Sequence, residues 1–333
     1  MRLSIQPFPE MTTLMKSKSS SWTSSGLSRC LALGLVALSL LATKPAHAKG
    51  ERNFNTPEAA VQALIQAAAA HDTNGLQTIF GPTARELANP DKIEAAGAYS
   101  LFVQRLTNKV EQVTDSASRI RLNLGSDAWP FPIPLVKEQE GWHFDTDQGK
   151  QEILNRRIGM NELGAIQVVR AYVDAQREYA SQDHSDDEVL EFAQRLRSTP
   201  GKRDGLYWSS TQEGEQSPLG PLVAQARQEG YRHEQKALKD TEASPYHGYY
   251  FSILTRQGAH APGGKYNYII NGHMVAGFAL VAWPAEWGNT GVMSFIVNQR
   301  GKVYQKNLGP KTASVAGNMT TYDPDRSWSL VRE

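Results

Sequence analysis

The chain has 333 residues, and its 35 Lys and Arg nearly balance its 34 Asp and Glu, for a formal net charge of +1. A chain of this length can bury two ordinary hydrophobic cores. The near-neutral charge, with no basic stripe, argues against nucleic acid as a partner. The single cysteine, Cys30, excludes an intramolecular disulfide.

The first 48 residues have the composition of a cleavable export signal. Basic residues come first, the apolar run Leu31–Ala42 follows, and the small-x-small triplet Ala46-His47-Ala48 ends the segment. The run is shorter than the ~20 residues that a membrane-spanning helix needs, although an uncleaved anchor is the alternative. We therefore expect a mature protein that begins near Lys49, has no membrane span and is periplasmic or secreted.

Removal of the signal would change the charge. It takes five of the 35 bases and one of the 34 acids, so the mature chain holds 30 bases and 33 acids, a net of −3. Cys30 also leaves, and the mature chain then has no thiol for a disulfide or a metal site. Cys30 precedes the apolar run instead of following it, which argues against a lipid anchor.

Three helices are predicted at the start of the mature chain. The first, Asn55–Ala70, opens on a capping residue and has Pro57 in its first turn. Shorter helices are expected at Leu76–Phe80 and Ile93–Leu106. Beyond them the apolar period changes from that of a helix to that of a strand.

Two strands follow these helices. The segment Ile120–Leu124 alternates apolar with polar residues, which is typical of a half-buried strand, and a second strand is predicted at Trp142–Asp145. Helices followed by an antiparallel meander predict an α+β domain over residues 49–150. The segments TPEAAVQALIQAAAAHDTNGLQTIF and GWHFDTD resemble the cone-shaped nuclear-transport-factor-2-like fold. This resemblance implies a pocket between helices and curved sheet, which some members use for catalysis and others for binding.

A second α+β domain is predicted over residues 161–333. Residues 151–160 (QEILNRRIGM) are expected to form a basic hinge, and the amphipathic helix Asn161–Gln182 follows. Helices are also predicted at Val189–Arg197 and Leu222–Glu229. Gly and Pro signals then separate five predicted strands: Tyr249–Thr255, Tyr266–Ile270, Gly277–Trp283, Val292–Val297 and Lys302–Asn307.

A long helix that leads into an antiparallel sheet resembles the globular head of type IV pilin-like proteins. The matching segments are AIQVVRAYVDAQREYA and GYYFSIL…FALVAWPAEWGNTGVMSFIVNQRGKVY. Pilins polymerise through an apolar N-terminal helix that is contiguous with the head. Here the only apolar segment lies more than 100 residues upstream, so polymerisation is not carried over.

Across the mature chain the sequence resembles a bacterial family catalogued as domain of unknown function 2950. Long segments carry this resemblance, among them WPFPIPLVKE, EILNRRIGMNEL, RSTPGKRDGLYW, YHGYYFSILT and HAPGGKYNYIINGHMVAGFALVAWPAEWG. The resemblance implies an envelope or secreted setting and implies no particular activity.

The segment Ser198–Trp208 (STPGKRDGLYW) has the composition of a binding loop. Cations on a Gly-flanked loop beside aromatic rings suit an anionic or carbohydrate ligand, through charge-assisted hydrogen bonds and stacking. The alternative is a structural loop, held to the sheet by an Arg–Asp pair and by its aromatics. The candidate ligand-binding residues of this loop are Lys202, Arg203, Asp204, Tyr207 and Trp208.

Two further candidates are histidines in turns rich in Gly and Pro. His247 precedes Tyr249, and His260 precedes Ala261-Pro262. Histidine near tyrosine can serve as an acid or base at neutral pH. The alternative is a hydrogen-bonded turn histidine, and a zinc trio of His247, His260 and His273 has no support from their spacing.

The acidic run Asp183–Glu188 has oxygen donors at alternate positions. Glu188 and Gln194 occupy the sixth and twelfth positions, where a calcium loop of the EF-hand kind needs Gly and Glu. We interpret the run as a solvated turn, with weak calcium binding as the alternative. The pairs Trp129-Pro130 and Trp283-Pro284 are interpreted as strand and core elements. No metal site and no cofactor are predicted.

Motifs of the common catalytic classes do not occur in the sequence. Our leading hypothesis is a non-enzymatic envelope protein that binds a small ligand or a protein partner. The 202–208 loop and the 247–260 turns would line its binding surface. The alternatives are a hydrolase or isomerase with a His/Tyr site in a pocket, and an assembly module like the pilins.

Overall fold

The computed structural model describes residues 50–209, 216–229, 231 and 245–332. The predicted export signal, residues 1–48, lies outside these ranges. The described residues form helices and mainly antiparallel sheets that succeed one another along the chain. This arrangement confirms the predicted α+β class.

The first half opens with helices and ends with a sheet. In chain order its elements are α1 (Pro57–Ala69), α2 (Thr73–Phe80), a 3₁₀ helix (Pro82–Leu87), α3 (Lys92–Asn108), β1 (Val110–Ser116), β2 (Arg119–Leu124), β3 (Trp129–Pro130), β4 (Leu135–Glu138) and β5 (Gly141–Phe144). The strands are antiparallel in the order β1-β2-β4-β5, with β3 beside β2. The three predicted helices and both predicted strands are confirmed, and β1, β3 and β4 were not predicted.

Local capping starts each of these helices. Thr56, Asp72 and Asp91 accept backbone N–H groups from the first turns of α1, α2 and α3. The apolar faces of the helices then pack on the sheet, where the Phe80 and Phe144 rings meet edge to face with centroids 5.3 Å apart. This is the first of two buried clusters.

The helix α4 (Thr146–Tyr179) joins the two halves. It has 34 residues, so it is about 50 Å long. Its N-terminal part packs against the 3₁₀ helix, and its C-terminal part packs against the second sheet. Residues 151–160 are helical throughout, and a hinge at this position stays a prediction. Neither α4 nor any other helix in the described part of the chain combines the length and apolar composition of a membrane span.

The described residues of the second half form α5, α6 and ten strands. In chain order these are α5 (Gly220–Gln228), β6 (Tyr249–Leu254), β7 (Arg256–Gln257), β8 (Tyr266–Asn267), β9 (Ile269–Ile270), β10 (His273–Met274), β11 (Ala279–Pro284), β12 (Met293–Asn298), β13 (Tyr304–Asn307), α6 (Thr312–Gly317), β14 (Thr321–Tyr322) and β15 (Ser329–Leu330). The main sheet is antiparallel in the order β15-β13-β12-β11-β6. The five predicted strands are confirmed, with one of them split into β8 and β9. The helix α6 and the short strands β7, β10, β14 and β15 were not predicted.

The second buried cluster lies between α4 and this sheet. Tyr172 of α4 packs edge to face on Phe278, and its hydroxyl donates to the carbonyl of Ala279 at 3.1 Å. Gln176, one turn further on, is fully buried and donates to the Tyr172 hydroxyl and to the Ala193 carbonyl. A buried amide of this kind is tolerated because its hydrogen bonds are made.

The predicted helix Val189–Arg197 is wrong, because this segment is irregular in the structure. Its backbone donors bind groups outside the segment: Phe192 N–H bonds the Met274 carbonyl, and Ala193 N–H bonds the Gln176 side chain. These distant partners replace the i→i−4 bonds that a helix would need.

Candidate functional site

The predicted binding loop is folded on itself. The Asp204 carboxylate accepts both the N–H and the hydroxyl of Thr199, each at 2.7 Å. The Arg203 guanidinium lies over the Trp208 ring, 5.9 Å from its centroid, and the Arg203 carbonyl accepts the Tyr179 hydroxyl. These contacts join Asp204 to a threonine of its own loop and Arg203 to Trp208 and to α4. Both interpretations of the loop, binding and structural, stay predictions.

The other two loop candidates differ in their surroundings. Lys202 is exposed. Tyr207 accepts a hydrogen bond from the Arg227 guanidinium at 2.7 Å, and the same guanidinium lies 5.6 Å from the centre of the Tyr207 ring. Because Arg227 belongs to α5, this contact joins the loop to that helix.

His260 and Tyr249 lie in contrasting environments. The His260 side chain is 58 % exposed, and its Nδ1 lies 3.0 Å from the Asp323 carboxylate, which also accepts the His260 backbone N–H. Tyr249 is buried in the second cluster, where its hydroxyl donates to the Met293 carbonyl at 2.8 Å. Burial raises the pKa of Tyr249. His260 therefore faces solvent, and Tyr249 offers almost no surface to a ligand.

His247 occupies a sharp turn. With Gly248 it forms the centre of a two-residue hairpin turn between Tyr246 and Tyr249, whose backbone groups bond each other in both directions. The φ angles are 46° at His247 and 70° at Gly248. Positive φ at both central residues is the pattern of a type I′ turn, whose first central position is usually Asn, Asp or Gly, so a histidine there is uncommon.

The His247 imidazole lies between a carboxylate and two tyrosine rings. Its Nε2 is 3.0 Å from Oε2 of Glu229, the residue after α5, without the alignment of a hydrogen bond. The ring centroids of Tyr246 and Tyr231 are 4.3 and 5.5 Å away. The Tyr246 hydroxyl donates to Glu229 at 3.2 Å, and the Tyr231 hydroxyl donates to Asp91 at 2.6 Å.

Asp91 belongs to the first half, so these contacts cross from one half to the other. Glu94 in the first turn of α3 interacts electrostatically with both His247 and Arg157 of α4. We call this set the junction cluster, and its members are Asp91, Glu94, Arg157, Glu229, Tyr231, Tyr246 and His247.

Glu94 is the least satisfied member of the junction cluster. Burial raises the pKa of its carboxyl, and the neighbouring Asp91 raises it further, whereas a hydrogen bond with Asn89 and the positive charges of His247 and Arg157 lower it. Its Oε2 is buried and has no hydrogen-bond partner in the described part of the chain. A buried carboxylate oxygen without a partner is costly, so it is an acceptor that a ligand donor would satisfy.

Arg157 is the buried cation of the junction cluster. It is 8 % exposed, and its guanidinium donates to the Leu87 carbonyl at 2.8 Å and to the Asn289 side chain at 2.7 Å. Burial lowers its pKa, and Glu94 and Glu286 oppose that effect. Because the ordinary pKa of arginine is far above neutral, the charge remains at neutral pH.

A cleft of about 230 Å³ opens beside Arg157. It lies between the 3₁₀ helix, α4 and the turn after β11, and α4 contributes four residues at the i, i+3, i+4 and i+7 spacing of one helix face. Lys150 and Glu86 form an ion pair in its wall. The lining residues are Glu86, Leu87, Lys150, Ile153, Leu154, Arg157, Gly288 and Asn289.

A second, shallow groove of about 310 Å³ lies between α1, the end of α3 and β1. Its charged lining residues are Glu58 and Lys109, both of which are exposed. The smaller cleft is lined by a buried cation, Arg157, whose electrostatic partner Glu94 has a raised pKa, and such a combination is typical of binding and active sites. We therefore place the candidate site at the smaller cleft.

The described residues contain no group of three or more His, Cys, Asp or Glu arranged to hold a metal ion. In the acidic run, the Asp183 carboxylate accepts the N–H groups of Ser185, Asp186 and Glu188. It thereby closes its own turn, as the solvated-turn interpretation expects.

The three histidines considered as a zinc trio are not brought together as one site. Each has its own acidic neighbours: Glu229 for His247, Asp323 for His260, and Asp187 and Glu191 for His273.

The fold and the site define an α+β protein whose two helix-and-sheet halves meet at a polar junction. Residues 51–331 match the model of a family described as a protein of unknown function (DUF2950), and the chain belongs to this family. Comparison with curated proteins gave no match, and neither did comparison with solved structures. The resemblances to nuclear-transport-factor-2-like and pilin-like folds stay predictions.

Of the junction cluster, sequence analysis singled out His247 alone. Asp91 and Glu94 have the spacing of a helix-capping pair. The sequence therefore explains both residues by capping and does not indicate that they belong to the junction cluster. Arg157 could have been identified from the sequence, because it continues the helical spacing of the apolar residues Ile153 and Leu154. A cation on an apolar helix face needs a buried partner.

Proposed function

We propose that this protein is exported and acts in the cell envelope as a non-enzymatic binding or accessory module, with its ligand in the cleft beside Arg157. One observation carries the proposal. The cleft is lined by the buried guanidinium of Arg157, which interacts electrostatically with Glu94, and the buried Oε2 of Glu94 has no hydrogen-bond partner in the described part of the chain. Contacts between halves are common places for small-molecule sites.

The size and chemistry of the cleft favour a small, polar ligand. About 230 Å³ is roughly eight times the liquid volume of one water, so a molecule of amino-acid size fits. Leu87, Ile153 and Leu154 supply apolar walls, while Arg157 and Asn289 supply polar contacts. A ligand with both an apolar part and a hydrogen-bonding part matches this lining.

The contacts of the candidate histidines favour binding over catalysis. A His/Tyr site would need an imidazole in a pocket within reach of Asp204 or a tyrosine hydroxyl. Asp204 is bonded to Thr199, and His260 faces solvent. His247 lies beside Glu229, and the hydroxyls of its tyrosine neighbours donate to carboxylates.

The test is a thermal-shift screen of the purified protein against amino acids, sugars, nucleotides and metal ions. A ligand that binds only the native state raises the melting temperature. The variant Leu154→Trp fills the cleft, and Ile65→Trp fills the other groove as a matched control. We expect a shift that Leu154→Trp abolishes and Ile65→Trp preserves. No shift at millimolar concentration, or a shift that cleft filling does not change, would count against the proposal.

The second candidate is a hydrolase or isomerase that uses Glu94 and His247 as acid and base. The raised pKa of Glu94 favours it, because catalytic acids are often shifted in this direction. This candidate predicts that a ligand found in the screen is converted by the wild-type protein and survives intact with Glu94→Gln. Recovery of unchanged ligand from the wild-type protein would exclude it for that ligand.

A further inference from the structure

The first described residues are held to the first half by backbone bonds. Arg52 N–H donates to the Thr78 carbonyl at 3.1 Å, and Phe54 and Trp142 bond each other in both directions at 2.7 and 2.8 Å. Phe54 is buried in the first cluster. Residues 50–54, which we call the leading segment, thus lie alongside β5 and extend its sheet by one bridge.

One charged side chain of the leading segment is buried. The Glu51 side chain is 11 % exposed and lies 3.6 Å (Oε2 to Nε2) from His143, whose side chain is 4 % exposed. Its Oε1 accepts the N–H of Thr146 in the first turn of α4, at 3.3 Å. Gly81 leaves it room, since a Cβ there would come within 2.7 Å of Glu51 Cγ.

The groups around Glu51 disfavour its charge. Burial, with smaller contributions from Asp145 and Asp147 at the start of α4, raises its pKa to about 7, although the hydrogen bonds with Thr146 lower it. Across from these groups, β5 contributes His143. The helix N-terminus favours an anion, yet burial and two neighbouring carboxylates outweigh it.

We infer that Glu51 and His143 make the leading segment a pH-sensitive latch, docked while the pair holds a proton and loosened when that proton is lost. With one proton, the pair is either a neutral acid beside a neutral imidazole or an ion pair, and both are compatible with burial. Without it, a buried carboxylate faces Asp145 and Asp147 with no compensating charge.

The direction of the pH dependence follows from the linkage between proton binding by Glu51 and docking of the leading segment. A carboxyl that binds its proton more tightly in the docked state stabilises docking at low pH, and this contribution is lost as pH rises through the docked-state pKa. Because the docked-state pKa is about 7 and the usual value is 4.5, docking weakens by up to about tenfold per pH unit between these two values and becomes independent of pH above them. The latch therefore holds in acid and loosens as pH rises toward neutrality.

Hydrogen exchange of the backbone tests this inference directly. Protection of the Arg52 and Phe54 amides, corrected for intrinsic exchange, is measured in the whole protein from pH 5 to pH 8.5. We expect protection in the wild-type protein to fall roughly fivefold between pH 6 and pH 7 and to level off above pH 8, and we expect it to stay constant in Glu51→Gln. Glu58→Gln, which alters an exposed acid in the same region, should behave like the wild-type protein.

Trypsin cleavage after Arg52 gives a second readout that needs no variant. Its rate in the protein, divided by the rate on a matching free peptide, should rise over the same pH range. Protection and cleavage that are independent of pH would overturn the latch, and so would pH dependence that survives in Glu51→Gln. Neither result bears on the proposed ligand site, because the cleft and the leading segment are tested by different variants.

Discussion

Tyr231 donates its hydroxyl to the Asp91 carboxylate at 2.6 Å, across 140 positions of sequence. The other carboxylate oxygen of Asp91 accepts the N–H groups of Ile93 and Glu94 and so caps α3. One side chain therefore starts a helix of the first half and binds a residue that follows α5. This arrangement couples the position of Glu94 to the contact between the halves.

Replacing Tyr231 with Phe removes this hydrogen bond and keeps the ring. We expect the free energy of unfolding to fall by about 1–3 kcal/mol, because the acceptor is ionised and the donor is buried. Tyr207→Phe is the matched control, since its partner Arg227 is exposed and its loss should cost under ~0.5 kcal/mol. Urea titration followed by circular dichroism measures both. Equal losses in the two variants would contradict the role given to Tyr231.

Two glycines of α4 should respond oppositely to the same substitution. A Cβ at Gly149 would lie 3.0 Å from the Ile133 Cα, whereas nothing lies within 4 Å of a Cβ at Gly159. Alanine gains up to about 1 kcal/mol of helix propensity at either position, and overpacking costs about 1–3 kcal/mol at the first. Gly149→Ala should therefore lower the melting temperature, and Gly159→Ala should raise it. No gain from Gly159→Ala would favour the original hinge prediction.

Adjacent arginines of α4 should differ in their contribution to stability. Arg157→Ala leaves the Glu94 charge without its buried cation and removes the bonds to Leu87 and Asn289, so we expect a loss of about 3–5 kcal/mol. Arg156→Ala removes partly exposed contacts with Glu152, the Pro130 carbonyl and the Trp129 ring, and it should cost about 1–2 kcal/mol. Thermal unfolding by calorimetry compares them, and similar losses would refute a special role of Arg157.

The stability of the junction should depend on pH through Glu94. Because burial raises its pKa, Glu94 contributes most to stability in acid, and this contribution is lost as pH rises through the raised value. Glu94→Gln removes the buried charge, so its melting temperature should exceed that of the wild-type protein by a margin that widens from pH 5 to pH 8. Glu178→Gln, at an exposed position of α4, should show no such trend. A constant margin would argue against burial as the cause.

Local signals accounted for much of the secondary structure. Thr56 and Asp91 cap helices with their own side chains, and the alternation around Leu122 marks a strand, so short windows of sequence suffice there. Such interactions join residues that are near one another in the chain. The segment Val189–Arg197 differs, because its donors bind Gln176 and Met274, and no window of that length includes both partners.

The candidate site was harder to anticipate for the same reason. His247 could be singled out as a histidine in a turn, but Glu229, Tyr231 and Glu94 have no common pattern in the sequence. They come together because α4 is one uninterrupted helix that carries Arg157 from the first half to the second. An expected hinge at residues 151–160 left the relation between the halves open.

The sequence by itself determined the α+β class, the order of most elements and the membership of the chain in its family. Periodicity and capping are properties of neighbouring residues, and family membership is a property of the residue string. The tertiary structure alone decided which charges are buried together. Glu51 beside His143, and Glu94 near Arg157, acquire their shifted ionisation from desolvation, and desolvation depends on what the rest of the fold packs around them.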